Sequence, residues 1–356
     1  MKILYAAISP DKPETAFCRR LVDNGLDHLI ICAPESEAYH ELSEAGAKVV
    51  PVSFNGRIDP SAVKRIRHIL DSEKFDIIHA TTNRSLSNCL IASRDRSLRI
   101  ITYRGTTGHL SRLDPASWLT YFHPRVSRIV CVSEAVRLYL LSKRLPPSRL
   151  VTIHKGHDLS WYEGIKKSPT ETGIPENVSV VCFTGNMRPV KGIPTLLKAA
   201  DLLPPDLNCN FLLVGEVRDR RVKKLIRKGS IPPNVHFAGF RADAPALAGG
   251  SDIFVMSSTS REGLCKAVIE AMAQGVPAVV TKIGGMPEVV TSGKTGLIVP
   301  PRDPGSLARA IEQLLRNPDQ RRKMGRAARL EIMEKFNVET TISRTLDLYS
   351  ETLAET

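Results

Sequence analysis

Short runs of β-branched and aliphatic residues recur along this chain, and each is followed by a segment with helical periodicity. In the first half the runs are Lys2 to Ile8, His28 to Ala33, Ala47 to Val52, Asp76 to Ala80, Leu98 to Tyr103, Arg128 to Ser133 and Leu150 to His154. Apolar strands without polar alternation suit a sheet covered on both faces, and the intervening helices supply that cover, so the pattern predicts a parallel, doubly wound layer. It lapses over Ser160 to Asn177, SWYEGIKKSPTETGIPEN, a stretch dense in turn formers. It restarts with VSVVCFTG at Val178 and runs through NFLLVG, NVHFAG, DIFVMS and PAVVT. The expected fold class is α/β, with two Rossmann-like domains facing each other across a cleft: residues 1–160, a linker over 161–177, and residues 178–336. Pro304 to Leu315 and Asp319 to Lys335 read as helices, and 337–356 as a last one with Ile342, Leu346, Tyr349 and Leu353 at helical spacing.

At 356 residues the chain is long enough to build two cores. Its seven cysteines are scattered without a CxxC pair, which predicts reduced, buried thiols and no metal site. The opening MKILYAAIS is too short for a secretory h-region, and no apolar run approaches the roughly 20 residues that cross a bilayer, so a cytoplasmic protein is expected. A net charge of +13 favours an anionic partner: nucleotide, anionic lipid or nucleic acid. Nucleic acid is disfavoured, because aromatics are only 5% and no zinc finger, RNP-like segment or basic heptad region is present. The absence of a GxGxxG opening a helix argues against a dinucleotide oxidoreductase.

The densest chemistry lies in Arg261 to Gly275, REGLCKAVIEAMAQG, where Glu262 falls in a loop and Glu270 inside a helix predicted over Leu264 to Ala273. The first N–H groups of such a helix, near Leu264, Cys265 and Lys266, suit an anion such as diphosphate. Glu270 can accept hydrogen bonds from two neighbouring hydroxyls. By composition alone each glutamate defaults to an exposed carboxylate, but the flanks change that. Val276 to Thr281 reads as a buried strand, Gly284 and Gly285 as a loop open to ligand approach, and Thr295 to Val299 as another strand. Upstream, TGNMRPVKG at Thr184 to Gly192 follows a strand and precedes a helix, where Arg188 and Lys191 can neutralise a diphosphate.

The paired glutamates, the Gly-Gly loop followed by PEVV, and TGLIVPP together resemble the donor-binding half of retaining nucleotide-sugar glycosyltransferases of the GT-B type, glycosyltransferase family 4. The resemblance is strongest from Val178 to Phe336. It implies a metal-independent transferase that moves a hexose-type sugar from a nucleoside diphosphate to an acceptor hydroxyl with retention. The N-terminal domain would select the acceptor, and the terminal helix would cross back onto it. Glu270 would hold the ribose, Glu262 a hydroxyl of the transferred sugar, and Gly263, Leu264, Cys265 and Lys266 the diphosphate. Lys191 keeps the family's lysine position, whereas the usual arginine position is Asn186 here, so Arg188 would supply the second charge. The turns at Gly185 and Gly215 would lie near the phosphates, and the loop with Phe240 and Arg241 would meet the base. In TYRGTTGH either Arg104 or His109 would face the donor sugar. HKGHD, with Gly156 and Asp158, resembles the family's NGxD turn, while SPDKPETAF after the first strand lacks the family's glycine-rich loop.

No cofactor is implied beyond the nucleotide-sugar co-substrate, a UDP-sugar ahead of a GDP-sugar. The implied partner is a glycan or lipid-linked acceptor such as a lipopolysaccharide core. Basic segments at Arg19-Arg20, Lys64 to Arg67 and Arg94 to Arg99 suggest docking on an anionic membrane from the cytoplasmic side. The charge run of FLLVGEVRDRRVKKLIRKG reads first as a solvated helical face, with membrane or nucleic-acid contact as the alternatives. A nucleotide-sugar epimerase or a sugar phosphorylase would share the architecture.

Overall fold

The computed structural model describes residues 1–355; Thr356, the end of the expected terminal segment 337–356, lies outside them. The chain divides into two compact units. One is Met1–Gly156 together with the segment from Val338 onward, and the other is His157–Asn337.

In the first unit the strands are β1 (Lys2–Ala6), β2 (Asp27–Cys32), β3 (Val49–Pro51), β4 (Ile77–Ala80), β5 (Arg99–Arg104), β6 (Val126–Cys131) and β7 (Leu150–Thr152). They pair in the order β3-β2-β1-β4-β5-β6-β7, every pair parallel. Strand residues such as Ile3, Ile30 and Ile77 are fully buried, as a sheet covered on both faces demands. The helix Lys12–Asp23 starts on a capping box, with Asp11 accepting from the Glu14 N–H at 3.1 Å and Glu14 accepting from the Asp11 N–H at 3.0 Å. The terminal helix Val338–Ala354 packs Val338, Ile342, Leu348 and Tyr349 into the same core as Ile3, Tyr5 and Phe17.

The second unit contains β8 (Ser179–Thr184), β9 (Cys209–Val214), β10 (Val235–Gly239), β11 (Ile253–Met256), β12 (Ala278–Thr281) and β13 (Gly296–Val299). Their order is β10-β9-β8-β11-β12-β13, again all parallel. In both sheets the order reverses beside the first strand of the unit, between β1 and β4 and between β8 and β11. Loops at the carboxyl ends of those strands are where doubly wound sheets take ligands.

The expected linker is corrected. The unit boundary follows Gly156, and residues 161–177 belong to the second unit. Tyr162 and Ile174 are buried in its core, and the Lys167 N–H donates to the Ala246 carbonyl at 3.1 Å. Proline and glycine turn this stretch through two short 3₁₀ turns, Leu159–Tyr162 and Pro169–Thr172. Turn-rich composition marks irregular backbone, but a few apolar side chains suffice to pin it. All seven cysteines are buried and free.

Candidate functional site

Three strand ends shape the site in the second unit. The first residue after β8, the first after β9 and the last of β10 are glycines with positive φ, Gly185 and Gly215 at 135° and Gly239 at 66°. The Gly215 N–H donates to the Gly239 carbonyl at 2.6 Å, and the Met187 N–H to the Glu216 carbonyl at 2.8 Å. A Cβ at Gly215 would overlap the Gly185 carbonyl, so only glycine lets these backbones lie against each other.

Across the switch point, the loop after β8 is stitched to the loop after β11. Thr259 donates its N–H to the Val190 carbonyl at 2.7 Å, and the Ser257 hydroxyl donates to the Lys191 carbonyl at 3.0 Å. This brings Lys191 to Glu262. The Lys191 ammonium donates to Glu262 Oε1 at 2.6 Å, and the Ser258 hydroxyl donates to the same oxygen at 2.6 Å. Both charged side chains are largely withdrawn from water, at 13% and 11% exposure. Burial alone would lower the Lys191 ammonium, but Cys265 and Glu262 beside it outweigh that and hold it above its usual range. Glu262 is gripped from a second side, because Gly284, at φ 56°, packs against its carbonyl where a Cβ would overlap, and the Gly285 N–H donates to the Gly263 carbonyl at 2.8 Å.

Arg188 is exposed at the start of a 3₁₀ turn over Pro189–Lys191, close enough to Lys191 for its charge to oppose that ammonium. Asn186 is also exposed. The predicted helix begins at Lys266 and runs to Ala273, with Cys265 as its N-cap and no side-chain cap bond. Glu270 is half-buried on this helix, with the Lys266 ammonium at 3.4 Å. Beside these loops lies an open groove whose wall includes Val190, Gly192, Thr195, Ser260 and Arg302.

Elsewhere the sequence-predicted residues fare differently. Phe240 is 79% exposed after β10. Arg241 forks onto Asp243 with two bonds of 2.8 Å, an arrangement that holds the Asp243 carboxyl well below the usual range, with Lys167 adding a contact at 3.0 Å. Arg104 and His109, the two candidates for facing the donor sugar, sit differently in the first unit. Arg104 is buried at the end of β5, donates to the carbonyls of Thr106 and Gly108, and lies 4.7 Å from the Tyr121 ring. A guanidinium so engaged braces its own loop. His109 is exposed in that loop with φ 56°. Ser258 escaped the sequence reading, since a serine in SSTS carries no signal until the fold brings it to Glu262.

Two parallel, doubly wound units, one with glycine-opened strand ends and a lysine–glutamate pair at its switch point, define a Rossmann-like class of α/β protein. The family model of glycosyl transferases group 1 matches residues 164–331, and that of glycosyltransferase family 4 matches residues 15–161. The chain belongs with the family 4-type glycosyltransferases of GT-B fold. It is 30% identical over 186 residues to the N-acetyl-α-D-glucosaminyl L-malate synthase of Bacillus anthracis, covering 52% of this chain and 49% of that protein. It is 25% identical over 324 residues to the phosphatidyl-myo-inositol mannosyltransferase of Mycobacterium leprae, covering 87% and 83%. The chain thus spans about half the length of several curated relatives it matches. Among solved structures, the Anabaena protein HepE in complex with UDP and glucose superposes with a TM-score of 0.81 at 22% identity, covering 99% of this chain and all of that one. At that identity the likeness speaks for the fold.

Proposed function

We propose that the chain transfers a hexose-type sugar from a nucleoside-diphosphate sugar, a UDP-sugar ahead of a GDP-sugar, to a hydroxyl of a lipid-linked glycan or lipopolysaccharide-core acceptor, with retention and without a metal. The observation that carries this reading is the Lys191–Glu262 pair, 2.6 Å apart and shielded from water at the switch point. An ammonium has three N–H donors. One engages Glu262, a second makes only a weak contact with Met256 Sδ at 3.9 Å, and the remaining donor capacity can turn to diphosphate oxygens as charge develops on the leaving group. Arg188 adds a second cation, and the uncapped first turn at Lys266 adds backbone donors. Glu262, fixed by Lys191 and Ser258, accepts from a sugar hydroxyl and orients the anomeric carbon. The bond from that carbon to the diphosphate breaks, the bond to the acceptor oxygen forms on the same face, and the acceptor's proton leaves with the diphosphate. Glu270, four residues into the helix, takes the ribose diol.

The UDP and glucose bound by HepE support the donor class, and the names of the malate and phosphatidyl-inositol relatives support glycosyl transfer to a hydroxyl. A lipid-linked acceptor accords with the chain's charge of +13, and no helix among the described residues is long and apolar enough to cross a membrane.

Calorimetry with UDP separates the two glutamates. Glu270→Ala should weaken UDP binding by about 1.5–3 kcal/mol, the worth of a hydrogen bond to a charged group. Glu262→Gln should leave UDP affinity intact and depress turnover of the sugar donor. Equal loss of UDP binding in both folded variants overturns the division of roles.

A further inference from the structure

In the basic segments singled out in the first unit, three of the eight cations, Arg19, Arg20 and Arg96, are answered by acids. Arg19 meets Glu41 at 3.4 Å, Arg20 meets Asp23 at 3.7 Å and also Glu339, and Arg96 meets Asp71. The second unit holds a denser run of charge on one short helix. Between Arg218 and Lys228 the chain carries seven cations against one carboxylate, a net +6 within eleven residues and close to half of the +13 of the whole chain. Arg218 pairs with Glu216 and Arg221 with Asp219. Arg220, Lys223, Lys224, Arg227 and Lys228 are exposed and have no acidic partner among the described residues.

Those five occupy positions i, i+3, i+4, i+7 and i+8 of the helix Arg220–Arg227 and its C-cap, so they form one stripe. Val222 is buried and Leu225 half-buried on the opposite side. Three of the like-charge pairs, Arg220 with Lys224, Lys223 with Arg227 and Lys224 with Lys228, stand at the i,i+4 spacing, where repulsion disfavours the isolated helix. A face that only needed hydration would interleave acids at those positions.

We propose that this stripe docks the protein on an anionic phospholipid surface. The matching chemistry is a plane of phosphate headgroups, which rewards diffuse charge more than directional contacts. Ile226, 41% exposed at the margin of the stripe, can enter the headgroup boundary. From Glu216 to Pro233 there is no aromatic, Asn, Gln or His, so the segment lacks the groups that stack on bases or read their edges. The stripe also begins beside the candidate site. The Asp219 N–H donates to the Met187 carbonyl at 2.8 Å, and Arg221 reaches the Pro189 carbonyl at 3.4 Å. A surface held by this helix therefore lies next to the loop of Lys191, where a lipid-linked acceptor is needed.

The inference rests on the lipid-linked acceptor reading for its purpose, while its test uses neither donor nor acceptor. The full chain is sedimented with phosphatidylglycerol-containing and pure phosphatidylcholine vesicles at low and high salt. Binding is expected only with the anionic vesicles and should fade as salt rises. The triple variant Lys223→Gln/Lys224→Gln/Arg227→Gln should lose about a hundredfold in vesicle affinity, at roughly fivefold per charge near the surface. The same number of charges removed from the first unit, Lys64→Gln/Arg65→Gln/Arg94→Gln, should change it by less than about threefold. Retained UDP binding and an unchanged melting curve show that the helix variant is folded. Three results overturn the proposal: no binding of the wild type to anionic vesicles, equal loss in the two triple variants, or retention on single-stranded RNA without retention on vesicles. Failed glycosyl transfer with intact vesicle binding would instead count against the enzymatic reading alone.

Discussion

The two units share a strand order, yet the carboxyl edges of their sheets are finished in opposite ways. At the edge of the second unit, Gly185, Gly215 and Gly239 end three neighbouring strands, backbone lies against backbone, and Lys191, with the Arg188 charge near it, is answered by one carboxylate, Glu262. At the edge of the first unit no glycine follows β1. Tyr5, His79 and Tyr103 line a mainly apolar cavity there, and Lys155 is answered twice, by Asp11 at 2.7 Å and Glu14 at 3.6 Å. Burial opposes the Lys155 charge, but Tyr103, Glu14 and Asp11 outweigh it and hold the ammonium above its usual range. One edge keeps a surplus of positive charge and open backbone for an anion. The other spends its cation within the fold. A shared topology offers the same place twice, and local residue chemistry decides which copy is suited to an anion.

The largest effect expected from breaking this contrast is on catalysis. Lys191→Met keeps the apolar stem but removes the surplus cation, and should lower kcat by about a hundredfold to a thousandfold, the usual consequence of losing one preorganised donor to developing charge. Arg188→Ala should cost only about tenfold, because an exposed cation is screened by water. Lys155→Met should unsettle the first unit while leaving UDP affinity alone. Initial rates over a donor series, with and without EDTA, check this. Activity that vanishes in EDTA and returns only with a divalent ion would show that metal, and not Lys191, carries the diphosphate charge.

The contrast also explains what could be read in advance. The strands were legible because continuous apolar runs leave few other structures, and the glycine turns and paired glutamates because those residue types are costly or idle anywhere else. Lys191 and Glu262 lie far apart in sequence, and only the β8–β11 crossover makes them neighbours at 2.6 Å. Ser258 gave no signal for the same reason. The engagement of Arg104 gave no signal either, because a cation after a strand looks the same in sequence whether or not it folds back on the carbonyls of Thr106 and Gly108. The stretch 161–177 was misread because turn residues report backbone direction and say little about packing. The first unit's edge was the least legible, since its cavity is lined by side chains that β1, β4, β5 and the terminal helix contribute from distant parts of the chain.

The first unit's edge should be acid-sensitive through a buried histidine that the second unit's edge lacks. His79 is buried between Tyr5 and the terminal helix, with Nδ1 2.6 Å from the Tyr349 hydroxyl and no hydrogen-bond partner at Nε2 among the described residues. Burial lowers its pKa to about 4, against an ordinary value of 6.5. Between those values the unfolded chain binds the proton more readily, so stability present above pH 6.5 is lost as pH falls toward 4 and changes no further from this group below it. The loss reaches about 3 kcal/mol at the low end. Glu14 works in the other direction, because burial raises its carboxyl and a buried acid favours the folded state as it protonates. Comparing urea unfolding of the wild type with His79→Gln at pH 7, 5.5 and 4 isolates the histidine. A parallel pH dependence in the two proteins would remove His79 as the cause.

The smallest effect sharpens the comparison at the level of backbone. Gly215 in the second unit and Gly25 in the first both have positive φ, 135° and 64°, so an alanine is strained at either. They differ in what surrounds them. At Gly25 nothing lies within 4 Å of an added Cβ, whereas at Gly215 it would overlap the Gly185 carbonyl and crowd the Asn186 nitrogen. Gly25→Ala should therefore cost about 1 kcal/mol, the conformational term alone. Gly215→Ala should cost about 2 kcal/mol or more, because backbone atoms must move as well. The functional consequence should separate the two further. The Gly25 variant, once folded, should bind UDP as the wild type does, while the Gly215 variant should bind it more weakly even when fully folded, since the displaced Gly185–Met187 segment leads directly to Arg188 and Lys191. Thermal melts paired with UDP calorimetry read both quantities on the same samples. Equal melting shifts together with equal UDP affinity would mean that the stacked glycines of the second unit are ordinary turns, and that the surplus of charge alone distinguishes its edge.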